Sequence, residues 1–209
     1  MPSPIAHTSL LLIATPPLRE RLRALSAVRR RLFMAWLAFA LLAPDLDLLL
    51  GVIAGYGLRP LHGGPTHTLL LAPVFAVLWM FVGRAVTRHT WTYRNLFTLA
   101  AAAYAAHVAL DFVTPGRGVA LLWPLPMGGE PWFSVNAARF GSPIPLFVGV
   151  EHSNWRDLHH HGLTVVNELG FAALMLAAGL ALASRRHDDS QPPGRAPGPS
   201  HKPARETGP

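Results

Sequence analysis

The chain has 209 residues, of which 51% are hydrophobic and only 14% are charged. A soluble domain usually carries about a quarter charged residues, so this composition argues against a soluble protein and favours one membrane-embedded domain. The absence of cysteine excludes disulfides and thiolate metal ligands.

The first apolar run, Ile5–Ala14, does not resemble a signal peptide, because its positive charges follow it and no small-residue cleavage site is obvious. The run is too short to span a bilayer alone. We therefore expect a short retained helix that is interfacial or re-entrant.

Four later segments are apolar enough to span a bilayer. The first, from Leu32 to about Ile53, is interrupted at Pro44, which disfavours helix at the preceding residue. The other three would extend about 28–33 Å as helices, which matches the hydrocarbon thickness. They are Pro65–Gly83, Asn95–Val113 and Leu163–Ser184. The sequence thus predicts an all-α polytopic membrane helix bundle of four spanning helices plus a short N-terminal helix.

Two regions lie outside the predicted spans. The connection from Thr114 to Gly162 is rich in Pro, Gly and Trp, and we interpret it as an outer loop at the interface. The tail over residues 185–209 is rich in Pro, Gly, Ser and charge, which is typical of disorder. We therefore predict a membrane-embedded domain over residues 1–184 and a disordered cytoplasmic tail.

The positive charges indicate the orientation in the membrane. Most of the 18 Lys and Arg residues fall in three segments that alternation across the bilayer puts on one side. Those segments contain Arg19 to Arg31, Arg84 to Arg94, and Arg185 to Arg205. The positive-inside rule makes this side cytoplasmic in a multi-pass inner (plasma) membrane protein. Because topology explains the high basic charge, we expect no nucleic-acid partner.

Histidine and aspartate residues gather at the opposite, outer ends of the segments. Ionisable groups are costly in a bilayer, so each requires a partner or a function. The set comprises His7, Asp45, Asp47, His62, His67, His107 and Asp111. The segments were oriented from arginine alone, so this agreement is independent of the set. It predicts a divalent-metal site on the non-cytoplasmic side.

Three pairs within this set have distinctive spacing. Asp45 and Asp47 offer hard oxygen ligands, although an N-cap role would explain one of them. His107 and Asp111 lie at i and i+4 on one helix face. This spacing suits two ligands of one metal, a His107 ligand that Asp111 orients, or a hydrogen-bonded pair with only a structural role.

The turn His62-Gly63-Gly64-Pro65-Thr66-His67 places the second histidine in the first turn of the predicted span Pro65–Gly83. A helix N-terminus there would favour a bound anion such as phosphate. The alternatives are two ordinary loop histidines at this turn and an interfacial histidine at His7.

Secondary candidates lie in and before the last span. Glu168 is a candidate for a further ligand, for a general base, or for a carboxyl near the interface. His159 and His161 belong to a histidine run, a type of sequence that can bind metal adventitiously.

The ordered motifs resemble those of a bacterial and archaeal inner-membrane, metal-dependent hydrolase family, described as LexA-regulated. The motifs are Pro4-Ile5-Ala6-His7-Thr8, Pro44-Asp45-Leu46-Asp47, His62-Gly63-Gly64-Pro65-Thr66-His67-Thr68, His107-Val108-Ala109-Leu110-Asp111 and Leu121-Leu122-Trp123-Pro124. At Gly64 the family usually has arginine. A shorter similarity links His107 to Asp111 and Pro115 with zinc-dependent phospholipase C and single-strand nucleases.

The resemblance implies a membrane-bound metal-dependent hydrolase that acts on a phosphoester or lipid-like substrate through metal-activated water. Zinc is the preferred metal, with manganese and iron as alternatives. Asp45 and Asp111 are the expected catalytic residues. The expected metal ligands are His7, Asp47, His62, His67, His107 and Asp111. A non-catalytic metal-binding membrane protein or an ion- or proton-coupled transporter is the alternative function.

Overall fold

The computed structural model describes residues 4–55, 62–114, 118–125 and 158–189, with the backbone alone for most residues at the two ends of the last helix. These residues form six α-helices. They are α1 (Pro4–Arg23), α2 (Ala27–Leu42), α3 (Leu46–Ile53), α4 (Leu71–Val86), α5 (Tyr93–Val113) and α6 (Leu158–Asp189). The all-α prediction is confirmed for this part of the chain.

Three helical segments of the described residues are long and apolar enough to cross a membrane. They are Ala27–Ile53, Tyr93–Val113 and Val165–Arg185. The predicted helix from Pro65 is wrong at its start, because Pro65–His67 form a separate 3-10 turn and Thr68 is extended. Helix α4 begins at Leu71 and has 16 residues, so His67 does not lie in its first turn.

The ends of α6 also differ from the sequence prediction. The helix begins at Leu158, within the predicted outer loop, and continues to Asp189, past the predicted boundary at Ser184. The rest of that loop, residues 126–157, and the rest of the predicted tail, residues 190–209, lie outside the described residues.

Helix α1 has 20 residues, so the prediction of a short N-terminal helix was wrong in length. The helix continues through Pro16 and Pro17, which lack the N–H groups that would bond the carbonyls of Leu12 and Ile13. The backbone of Leu12 and Ile13 packs against Gly179 of α6. An added Cβ at Gly179 would lie 2.9 Å from Cα of Ile13 and would collide with the Leu12 carbonyl. Helix α1 is therefore closely packed against α6 at the two residues whose carbonyls lose their partners to the prolines.

Contacts at both ends of α1 show that it runs the length of the bundle. Near its start, Nε2 of His7 lies 3.3 Å from Oδ1 of Asp111. Near its end, the guanidinium of Arg21 lies 5.6 Å from the ring centre of Trp91. Arg21 and Trp91 are thus at the end of the bundle opposite to His7 and Asp111.

The proline after α2 interrupts the helix as predicted. Helix α2 ends at Leu42, Ala43–Asp45 form one 3-10 turn, and α3 begins at Leu46. Asp47, in the first turn of α3, is buried. The break thus lets one apolar segment turn a carboxylate inward without burying its neighbours on α3.

Two tryptophans join α2 to α4. The indole N–H of Trp36 donates to the carbonyl of Trp79, and the Trp79 indole returns the bond, both at 3.0 Å. Gly83 makes room for this contact, because an added Cβ would lie 2.9 Å from the Trp36 ring. The reciprocal bonds satisfy two polar groups that are costly to leave unpaired in an apolar bundle.

The segment 118–125 holds the turn that precedes α4. The amide of Ala120 donates to the carbonyl of Gly63, and the amide of Leu69 donates to the carbonyl of Leu121. The hydroxyl of Thr68 donates to the Leu121 and Trp123 carbonyls at 3.1 Å. These bonds explain why the backbone at Thr68 is extended instead of helical, and they fix the position of His67.

Candidate metal centre

All seven His and Asp residues singled out in the sequence gather at one end of the bundle. They come from α1, the 3-10 turn after α2, α3, the turn before α4, and α5. Asp45, His67, His107 and Asp111 each present one ligand atom within 4.8 Å of the others, and Asp47, His62 and His67 form a second such group. The expected clustering is therefore present in the structure.

Asp111 is the most connected carboxylate of the first group. Its Oδ2 atom lies 3.3 Å from Nε2 of His67 and 3.3 Å from Nε2 of His107. Its other oxygen faces Nε2 of His7 at 3.3 Å. The Asp111 carboxylate thus contacts three imidazoles, which come from α1, the turn before α4, and α5 itself.

Asp45 faces the same two imidazole nitrogens from the other side. Its Oδ1 atom lies 3.3 Å from Nε2 of His107 and 3.6 Å from Nε2 of His67. Asp45 is the N-cap residue of α3, but its side chain makes no capping hydrogen bond. The capping role left open by the sequence therefore does not account for this carboxylate.

The second group surrounds Asp47. Its Oδ2 atom accepts a hydrogen bond from the hydroxyl of Thr66 at 2.8 Å and lies 3.1 Å from Nδ1 of His67. Its Oδ1 atom lies 3.1 Å from Nδ1 of His62, within hydrogen-bond distance. His67 belongs to both groups, with one ring nitrogen directed to each.

Several buried polar atoms of the cluster have no hydrogen-bond partner. They are Nδ1 of His7, Nε2 of His67, both ring nitrogens of His107 and both carboxylate oxygens of Asp111. Their neighbours lie close enough for electrostatic attraction but not in hydrogen-bonding geometry. Buried polar groups are normally hydrogen-bonded, and a cation bound at this point would satisfy these atoms.

The sequence also left open that His107 and Asp111 form a structural pair. A structural pair satisfies its own donors and acceptors, whereas both ring nitrogens of His107 and both oxygens of Asp111 lack a hydrogen-bond partner. The His107 ring also stacks on that of His7, with centroids 3.7 Å apart and planes 13° apart. Their arrangement fits atoms that face a shared cation.

Access to the cluster is one-sided. The side chains of His67, His107 and Asp111 are 0%, 0% and 1% exposed, whereas those of His62 and Asp45 are 18% and 19% exposed. Within the described part of the chain, the cluster is therefore least covered on the side formed by Asp45 and His62.

The carboxylates make this end of the bundle attractive to positive charge. Asp45, Asp47 and Asp111 each have an oxygen within 3.6 Å of a ring nitrogen of His67, and their combined negative field favours a cation there. The same field stabilises a metal cation, because three carboxylates lie within a largely buried pocket.

Two supporting residues were not singled out in the sequence. Thr66 bonds Asp47, and the hydroxyl of Tyr104 donates to the Thr66 carbonyl. Tyr104 precedes His107 by three residues and so shares its helix face, which was the available signal. Thr66 carried no signal beyond its place between two expected ligands.

Among the secondary candidates, Glu168 is described and is not a member of either group. Glu168 is buried on α6, three residues before Phe171, which packs against Ala6 and Leu110. The side chains of His159 and His161 lie outside the described residues. Their backbone belongs to the first turns of α6 instead of the predicted loop.

Comparison with known protein families gives a match over most of the chain. A family model described as YdjM inner membrane protein matches residues 5–187. No curated protein and no solved structure matches the chain. The match includes every residue of the cluster and agrees with the predicted inner-membrane location.

Proposed function

Since the chain belongs to the YdjM inner membrane protein family, we propose that it is a membrane-bound metal-dependent hydrolase acting on a phosphoester or lipid-like substrate. The observation that carries this proposal is the set of buried, unpartnered atoms on His67, His107 and Asp111. Buried polar atoms of this kind are costly unless a ligand satisfies them.

His67, His107 and Asp111 would hold the metal through Nε2, Nε2 and Oδ2. Ligand atoms about 2.0–2.1 Å from a tetrahedral zinc ion are about 3.3–3.4 Å apart. The two nitrogen–oxygen distances at Asp111 are both 3.3 Å. This spacing suits a tetrahedral zinc ion. A divalent ion supplies, when bound, a positive charge that acidifies water and polarises a phosphoryl or acyl oxygen.

Asp45 is the residue we assign to proton transfer. It is the most exposed of the three carboxylates, and its Oδ1 atom lies 3.3 Å from Nε2 of His107, beside the proposed ligands. Catalytic zinc sites commonly combine three protein ligands with one open position, so a fourth side chain near the open side is free to act as a base. Asp111, in contrast, is buried and is better placed as a ligand.

Asp47 and His62 position the ligands in this proposal instead of binding the metal themselves. A neutral imidazole binds a cation through one nitrogen and donates a proton from the other. Asp47 lies next to Nδ1 of His67, which leaves Nε2 for the metal. His7 acts similarly on the second oxygen of Asp111.

The surroundings support a substrate that comes from the bilayer. Helix α3 follows Asp45 directly and exposes a row of apolar side chains. They are Leu46, Leu49, Leu50, Val52 and Ile53. Because the open side of the cluster adjoins this apolar helix, a lipid-like molecule could reach it without leaving the membrane interface.

The proposed topology keeps the four predicted spans, adds α1 as a further helix that runs the length of the bundle beside them, and puts the cluster on the non-cytoplasmic side. Helix α4 would extend about 24 Å, and the preceding turn completes the crossing. The arginines at the other end of the bundle support a cytoplasmic location for that end.

Metal content tests the proposed centre. We expect the protein purified in detergent to hold about one zinc per chain, and Asp111→Asn and His67→Asn to lose it. Matched controls are Glu20→Gln, which changes an exposed carboxylate, and His89→Asn, which changes a histidine outside the cluster. Full metal retention in both cluster variants, with unchanged monodispersity, would contradict the proposal.

Activity then separates an enzyme from a carrier. The metal-loaded protein should release phosphate or headgroup from a panel of phospholipids and lipid phosphates, and the two cluster variants should not. A protein that binds zinc at this site but hydrolyses nothing in the panel would support the non-catalytic alternative. Metal-dependent uptake into proteoliposomes would instead support a transporter.

A further inference from the structure

A groove lies at the end of the bundle opposite to the His/Asp cluster. It runs between the last turns of α1 and the first turns of α5, beside the turn that connects α4 to α5. Two adjoining cavities of about 310 and 320 Å³ form it, and Arg21, Trp91 and Asn95 line both. Arg94 also lines the larger cavity.

The groove concentrates positive charge that the protein does not neutralise. Neither Arg21 nor Arg94 forms an ion pair within the part of the chain that the structure describes, and no Asp or Glu is among the residues that line the two cavities. Arg84, which is close by, is used differently, because it donates to the carbonyls of His89 and Trp91. Arg84 thus holds the turn in place, while Arg21 and Arg94 line the groove.

Trp91 gives the groove a rigid wall. Its side chain is buried, and the guanidinium of Arg21 lies over its ring at 5.6 Å. A guanidinium stacked on an aromatic face keeps its donor edges available to an oxyanion. Thr90 and Thr92 also line the smaller cavity.

The groove changes from polar to apolar along the bundle axis. Pro17 and Leu18 lie one turn before Arg21 on α1, and Leu99 lies about one turn after Asn95 on α5. Both sets are closer to the middle of the bundle than the arginines are. This order matches a phospholipid, whose phosphate is at the interface and whose acyl chains extend inward.

We propose that this groove binds the headgroup phosphate of an anionic phospholipid, with Arg21 and Arg94 as its cationic contacts. The site is independent of the proposed hydrolase centre, since it lies at the other end of the bundle. Basic pockets between membrane helices are suited to such headgroups, whereas scattered surface arginines attract them only diffusely.

Native mass spectrometry of the full-length protein in detergent tests the site, using phosphatidylglycerol and phosphatidylcholine with identical acyl chains. We expect Arg21→Gln/Arg94→Gln to weaken phosphatidylglycerol binding on the order of tenfold and to leave phosphatidylcholine binding unchanged. Arg21→Lys/Arg94→Lys should restore much of the affinity. The control Arg30→Gln/Arg31→Gln removes two exposed charges from α2 and should change binding less than about twofold.

Three results would overturn the proposal. Equal losses in the two glutamine variants would show diffuse attraction instead of a site. Equal affinity of the wild type for both lipids would show that charge is not recognised. Displacement of phosphatidylglycerol by inorganic phosphate would show a free-phosphate site. Because both arginines are exposed, their variants should fold, and an unchanged melting temperature checks this.

Discussion

Oδ2 of Asp47 lies 3.1 Å from Nδ1 of His67, while Nε2 of the same ring lies 3.3 Å from Oδ2 of Asp111. The two nitrogens of one imidazole thus face two carboxylates from different helices. If Nδ1 carries the proton and donates it to Asp47, Nε2 is unprotonated and its lone pair is available to a metal ion. In the proposed centre, one group of residues would therefore hold the metal, and the other group would orient the metal ligands.

Asp47→Asn should weaken zinc affinity without abolishing binding. The amide no longer stabilises a proton on Nδ1 of His67, and loss of such an outer carboxylate typically lowers metal affinity about 10–100-fold. The measurement is competition with a chromophoric chelator. Glu20→Gln is the control, and complete loss of zinc at saturating concentration would instead identify Asp47 as a ligand.

Asp45→Asn should separate chemistry from metal binding. Loss of a general base typically lowers the turnover number about 10²–10⁴-fold, and the three buried ligands would stay in place. We expect unchanged zinc content with nearly abolished hydrolysis of the lipid substrate found in the panel. Zinc loss equal to that of Asp111→Asn would instead make Asp45 a fourth ligand.

Gly179→Val should destabilise the bundle. An added side chain would collide with the backbone of Leu12 and Ile13 in α1, and overpacking of this kind typically costs about 1–3 kcal/mol. Thermal unfolding in detergent measures the effect. Gly170→Val is the matched control on the same helix, because no atom lies within 4 Å of a Cβ at that position. Equal melting temperatures for the two variants would contradict the α1–α6 packing.

Trp36→Phe should lower stability without changing zinc content. It removes one of the two reciprocal indole–carbonyl bonds between α2 and α4, and a neutral hydrogen bond contributes about 1 kcal/mol net. Trp79→Phe should cost a similar amount. Because the two residues contact each other, the double variant should deviate from additivity. Loss of zinc in the single variants at full folding would show an unexpected link to the metal centre.

Local patterns in the sequence determined much of this protein. Hydropathy and length predicted three of the spans, since each depends only on consecutive residues. Pro44 predicted the break after α2 because its ring acts on the preceding residue. The cost of ionisable groups in a bilayer was sufficient to select the seven residues that gather at one end.

The tertiary structure decided the rest, because it depends on contacts between distant positions. Helix α1 continues through Pro16 and Pro17, although proline normally interrupts a helix, and the residues just before them pack against Gly179. Bonds from Thr68 to the segment 118–125 delay the start of α4. The proposed division of roles between Asp47 and Asp111 likewise follows from which nitrogen of His67 each one faces. Spacing along the chain does not contain that information, since it arises only when the helices pack.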